Sequence, residues 1–259
     1  HRRGDLGDIY FIANQKEETR TFTASMRVNG RKPECWNPVT GEIDTNPLYE
    51  LKDNRTEMIL TLAPNESVFV VFSTEGINKN GGESSQKEQL WKEKKNLVKE
   101  VREVPLDMEE YRINFLNTGK EVIRKTLFDW SKEEDEQIRY YSGTAIYKTT
   151  FRWKNKQKKD ERIYLNFGKI CNIATVRLNG VECGTIWTAP YRADITAALK
   201  KGINELEIEV TNTWANALKG ADEGKAPFDG IWTNAKYRRA EKTLIPAGLL
   251  GPLSISATE

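Results

Sequence analysis

The chain has 259 residues, enough for one large domain or two ordinary ones, each with a real hydrophobic core. Apolar residues make up 38%, charged residues 30% and aromatics 10%, a globular composition that excludes a disordered chain, and no stretch approaches the roughly 20 apolar residues of a membrane span. The 40 basic and 38 acidic side chains leave a formal charge of +2, so no overall field steers the protein toward nucleic acid or an acidic membrane surface.

The opening, HRRGDLGDIYFIAN, is a charged segment that runs straight into a strand; it contains no signal peptide and reads as the start of something cut from a longer chain. From Asp8 to Ser73 the apolar pattern has period two, which predicts strand after strand. DIYFIAN sets Ile9, Phe11 and Ala13 on one face, and ETRTFTASMRVNG sets Phe22, Ala24, Met26 and Val28 on one side before an Asn29-Gly30 turn. In CWNPVTGE Trp36 has a face that could stack a ligand, but the Asn-Pro and Thr-Gly pairs that follow predict a tight turn with Trp36 packed beneath it. EMILTLAP turns at Pro64-Asn65 into SVFVVFS, which is apolar on both faces and therefore predicted to be central in its sheet. Short strands without intervening helical periods indicate a first β-sandwich over residues 1–78.

Residues 79–100, rich in Gly, Ser, Asn and then Lys and Glu, predict a linker. The basic runs at Lys92, Lys94 and Lys95 and at Lys154 to Lys159 read as solvated surface. A second sandwich is expected over 101–259. GTAIYKTTFRW carries Ala145, Tyr147, Phe151 and Trp153 on one face, and RIYLNFGKI carries Ile163, Leu165 and Phe167. NIATVRLNGVECGTIW predicts a hairpin through Asn179-Gly180 in a type I′ turn. Symmetric pairing about that turn places Cys183 opposite Val176, away from Cys171, so no disulfide is expected, and the three cysteines follow no metal-ligand spacing. DITAALKKG predicts one helical turn capped by Asp194 and ended by Gly202. In NELEIEVTN, Leu206, Ile208 and Val210 alternate with Glu205, Glu207 and Glu209, which requires one buried and one wet face. The fold class is all-β: two β-sandwich domains, the second a jelly roll.

Much familiar chemistry is absent. His1 is the single histidine, so a Ser-His-Asp triad or a multi-histidine metal site cannot be assembled except around that end, and no nucleotide, zinc-protease or esterase motif appears. Glycoside hydrolysis needs only two carboxyls, about 5–5.5 Å apart for retention or about 6.5–9.5 Å for inversion, yet acids such as Glu205, Glu207 and Glu209 fall on wet strand faces where nothing favours a protonated general acid.

Loops of the second half combine aromatic walls with a few polar groups, the mix that binds sugars. Trp187, Tyr191, Arg192, Trp214, Asn216 and Trp232 supply it; the same residues equally suit closing the ends of the sandwich, with Arg192 paired to a neighbouring acid. Asp222, Glu223 and Asp229, around Gly224 and Gly230, form a loose oxygen-rich group of the kind calcium uses, although their spacing fits no defined calcium loop. No cofactor is otherwise required.

The order of YYSGTAIYKTTFRW, the V-x-L-N-G turn, the G-x-x-W-x-x-P-Y loop, D-I-T and G-x-N-x-L-x-I-x-V resembles the galactose-binding-like sandwich common in glycoside hydrolases such as family 2. The tail TLIPAGLLGPLSI and the pattern DIYFIAN…WNPVTGE…LTLAPNESVFVVF resemble the C-terminal part of family 106 glycoside hydrolases, known chiefly as α-L-rhamnosidases. The resemblance implies a catalytic α/β barrel N-terminal to His1 that carries the acid and base carboxylates, with His1, Arg2 and Arg3 near its mouth, and an exported, periplasmic or extracellular setting. None of the barrel's catalytic positions falls in this sequence. Three functions are therefore expected to compete: an accessory region packed on that barrel, a free-standing carbohydrate-binding module, and a small glycosidase with a carboxylate pair in the interdomain groove.

Overall fold

Period-two alternation becomes antiparallel sheet in two compact units, His1–Glu100 and Val101–Glu259, within a computed structural model that describes residues 1–5, 7–74, 102–106, 108–154, 161–234 and 243–258. The predicted linker at 79–100 and most of the basic run ending at Lys159 lie outside the described residues. In the first unit the strands are β1 (Arg2–Gly4), β2 (Gly7–Ala13), β3 (Arg20–Met26), β4 (Glu34–Trp36), β5 (Ile43–Asp44), β6 (Tyr49–Lys52), β7 (Arg55–Leu62) and β8 (Ser67–Ser73). One sheet runs β1-β2-β8-β4-β5 and the other β3-β7-β6. β8 is central, as its two apolar faces predicted, and sends Val70 and Phe72 inward against Met26, Val28, Met58 and Leu60. The inward face of β2 is Asp8, Tyr10 and Ile12; the Ile9, Phe11 and Ala13 face points outward.

The second unit follows with β9 (Arg102–Pro105), β10 (Tyr111–Phe115), β11 (Lys120–Arg124), a 3₁₀ turn at Trp130–Lys132, α1 (Glu136–Arg139), β12 (Thr144–Trp153), β13 (Arg162–Asn166), β14 (Lys169–Cys171), β15 (Ile173–Leu178), β16 (Val181–Ile186), β17 (Arg192–Asp194), β18 (Gly202–Thr211), α2 (Ala215–Asp222), β19 (Gly248–Gly251) and β20 (Ser254–Thr258). A six-stranded sheet, β11-β10-β12-β18-β15-β16, faces a four-stranded sheet, β17-β13-β20-β9, and β14 pairs with β19. The long central pair β12 and β18 is in register from Thr144 opposite Thr211 to Trp153 opposite Gly202. Leu206, Ile208 and Val210 are buried and the three glutamates between them are not, as the alternation required. The all-β sandwich class read from the sequence is borne out.

Three local expectations need adjustment. The hairpin turn has both central residues at positive φ, Asn179 at 52° and Gly180 at 80°, but the pairing is not symmetric: Val176 faces Gly184, and Cys183 is the extra residue of a bulge, with Gly184 at φ 109° absorbing the kink. None of the three cysteines is in a disulfide. Around DITAALKKG the Asp194 carboxylate accepts from Thr196 N at 2.9 Å and Leu199 N reaches Ile195 O at 2.9 Å, so a single turn forms, while Gly202 opens β18. In CWNPVTGE, Asn37 Oδ1 caps Val39 and Thr40, which makes the expected turn, but Trp36 is not beneath it: the indole lies on the sheet surface, 39% exposed.

The core of the second unit is organised around Trp130, which has no solvent access. Its indole N–H donates to the Tyr147 hydroxyl at 2.7 Å, and Phe115 and Tyr141 pack edge-on at centroid distances of 5.2 and 5.6 Å. Its backbone N–H donates to Ala247 O at 2.9 Å, which docks the tail, and at Gly248 (φ 97°) a Cβ would run into the indole. Gly248→Ala is therefore expected to cost about 2–4 kcal/mol, overpacking added to backbone strain, and to lower the urea midpoint of this unit. Burial pushes Tyr141 up to about 12 from 10.0, and raises Tyr147 and Tyr111 in the same direction. A phenol whose folded value is raised contributes stability that is complete below its unfolded value of 10.0 and lost as pH climbs toward about 12. The thermal midpoint should hold up to about pH 10 and fall steeply above it, in step with phenolate absorbance.

Candidate functional site

The sequence candidates for sugar contact divide by burial. Trp187 (56% exposed), Trp214 (60%) and Trp232 (78%) present their indoles to solvent. Register places two of them at one end of the second sandwich: Ala174 at the start of β15 pairs with Ile186, the residue before Trp187, and Ile173 pairs with Thr211, the last residue of β18, three before Trp214. Strands β16 and β18 flank β15, so Trp187 and the 212–214 segment leave the sheet about 10 Å apart.

The remaining candidates do structural work. Tyr191 packs on the core and its carbonyl accepts from Phe167 N at 2.9 Å. Arg192 lies over the Tyr164 ring, 4.8 Å from its centroid. Asn216 is buried, donating to Ile245 O at 2.8 Å and accepting from Ile245 N at 2.9 Å, so its amide is spent on fastening the tail to α2. Lys219 on the same helix donates to Thr243 O. Among the described residues no three His, Cys, Asp or Glu side chains are placed to hold an ion, and of the calcium candidates Glu223 accepts from the Tyr140 hydroxyl at 2.8 Å with Lys225 Nζ at 3.8 Å.

At the N-terminal end, Arg2 and Arg3 are exposed on the edge strand β1, whereas His1 turns inward. Its Nε2 sits 2.8 Å from Asp8 Oδ1 and its ring stacks on Tyr10 at 4.1 Å. Arg31 pairs with the other Asp8 oxygen and donates to Phe72 O at 3.2 Å. Asp8 is 3% exposed, and a buried carboxylate persists only with such partners. Sequence reasoning missed Asp8 and Arg31; the available signal was an acid on the inward side of a strand's alternation.

The wet face of the six-stranded sheet holds a groove of about 510 Å³ lined by Arg112, Lys148, Arg177, Glu205 and Glu207. Two of its cations are ion-paired, with Arg177 bound to Glu209, Glu182 and Glu207 and Lys148 at 3.1 Å from Glu207. Exposed pairs of this kind order a surface at little net gain, about 0–1 kcal/mol each.

Comparison with known proteins bears on both units. Residues 116–244 match the glycosyl hydrolase 2 galactose-binding domain-like family, and residues 1–50 match the alpha-L-rhamnosidase family. Both matched stretches are similar to parts of glycoside hydrolases. Both parts of the resemblance read from the sequence are thereby borne out. A rhamnosidase from Novosphingobium sp. PP1Y is 32% identical and superposes with a TM-score of 0.78 over 100% of this chain and 23% of its own. A putative beta-glucuronidase from Formosa agariphila is 39% identical over 52% of this chain and 14% of its own length. The chain thus spans less than a quarter of either relative.

The Asp8 cluster ties the first residues to the first sandwich. Asp8→Ala would strand Arg31 beside a buried cavity and should destabilise the first unit by about 3 kcal/mol, read as a lower urea midpoint, whereas exposed Arg3→Ala should change it by less than about 0.5 kcal/mol.

Proposed function

We propose that this chain is the non-catalytic accessory and carbohydrate-binding region of a larger, exported glycoside hydrolase of the α-L-rhamnosidase type, acting on plant or microbial glycans. The observation that carries this reading is the match, along its whole length, to 23% of a rhamnosidase. Its chemistry agrees. The single histidine is committed to Asp8, and the carboxylates Glu207 and Glu209 are ion-paired at an open surface, whereas a general acid needs surroundings that favour its protonated form. No helix among the described residues is long and apolar enough to cross a membrane.

A second reading, a module with its own glycan site, is favoured by the exposed Trp187 and Trp214 at one end of the jelly roll. The two readings separate by experiment. Removing this region from the full-length polypeptide should lower activity or stability of the catalytic part, and the 259-residue chain should not turn over a nitrophenyl α-L-rhamnoside. Turnover by the chain alone would defeat the non-catalytic assignment. In calorimetric titration with rhamnose-containing oligosaccharides, Trp187→Ala and Trp214→Ala should each weaken binding about tenfold, about 1.4 kcal/mol; undiminished binding would remove the stacking role.

A further inference from the structure

One surface of the first unit breaks the rule by which it is otherwise built. The outer side of β3 and β7 is polar apart from Ile59, with Thr21, Thr23, Ser25 and Thr61 exposed and Thr21 and Thr61 hydroxyls bonded at 2.9 Å. The outer side of the five-stranded sheet is apolar. Phe11 pairs with Phe69, Phe69 with Trp36 and Trp36 with Ile43, so side chains from four adjacent strands form one row across the sheet, about 15 Å long. Ile9 lies in the next row opposite Val71, and Val39 follows in the turn after β4. Phe11 is 56% exposed, Ile43 50%, Ile9 43%, Val39 40% and Trp36 39%. Isolated exposed hydrophobes are ordinary; a contiguous row of this kind marks a surface that something covers.

We infer that this face is where the first unit docks on the remaining, catalytic part of a rhamnosidase-type polypeptide, an inference that rests on the reading proposed above. Residues 1–50, the stretch that matches the alpha-L-rhamnosidase family, supply Ile9, Phe11, Trp36, Val39 and Ile43, all but two residues of the patch. The relative that this chain matches along its whole length has more than three quarters of its own chain outside the match, ample for a covering domain. A glycan fits the surface poorly. The Phe11 and Phe69 rings are tilted by 47° at 5.0 Å and make no flat platform, and the Trp36 indole N–H is already donated to Glu34 at 2.9 Å, so the row offers no donors to sugar hydroxyls. An apolar protein surface needs none.

Hydroxyl-radical footprinting of the 259-residue chain and of the full-length polypeptide tests this directly. Phe11 and Trp36 should label readily in the chain alone and severalfold less in the full-length polypeptide. Paired Phe11→Ser and Trp36→Ser substitutions should lower the melting temperature of the full-length polypeptide by clearly more than that of the chain alone, where both side chains already meet solvent; an equal drop in both would overturn the inference. Equal labelling in both forms would overturn the inference, as would protection of the chain alone by added glycan or by its own concentration, which would assign the face to a sugar or to a second copy. If deleting this chain alters the full-length polypeptide while Phe11 and Trp36 stay unprotected, only the docking face falls; if deletion has no effect, the accessory reading falls.

Discussion

Trp130 has no access to water, and its indole N–H must find an acceptor inside the second unit. The Tyr147 hydroxyl meets that need, and the same oxygen also accepts from Leu249 N at 3.3 Å, so one phenol joins the 3₁₀ turn, the central strand β12 and the tail strand β19. Asp129 adds a second tie, capping Ser131 N at 3.1 Å and accepting from Ala247 N at 3.0 Å. The tail passes so near the indole that only glycine fits at 248, and Asn216 then fixes Ile245 to α2. Trp214, at the start of that helix, is thus held on a rigid base although its own indole is free of the core.

The first unit solves a different problem. A carboxylate placed inward at Asp8 is tolerable only because Arg31 pairs with one of its oxygens and His1 Nε2 hydrogen-bonds the other, while Phe72 O accepts from a second guanidinium nitrogen. The effect is to fasten the first residues to the central strand of the five-stranded sheet. The apolar row of Phe11, Phe69, Trp36 and Ile43 lies on the opposite, outward face of the same sheet.

The glycan candidates show why residue type alone overstates a site. Trp, Asn and Arg are used for sugar contact and also for closing a sandwich, and the difference lies in whether their polar atoms are already satisfied. Asn216 is satisfied by backbone and Arg192 is laid over Tyr164, whereas Trp187 and Trp214 keep exposed faces at one end of the sheet.

Period-two alternation by itself determined the strands, the all-β class, the central place of SVFVVFS and the buried side of NELEIEVTN, because side chains of a strand must alternate between two environments. Asn179-Gly180 likewise specified its turn through the positive φ that both residues tolerate. What the alternation could not say is whether a second apolar face is covered or exposed: Ile9 and Phe11 share one face of β2, and that face points outward, while Trp36 was expected beneath a turn and lies on the surface. Nor could it supply the partners of Asp8 or the bulge at Cys183, since Arg31, His1 and Gly184 meet their counterparts only through strand pairing and register. Local pattern sets which side of a strand is apolar; tertiary packing decides what each side meets.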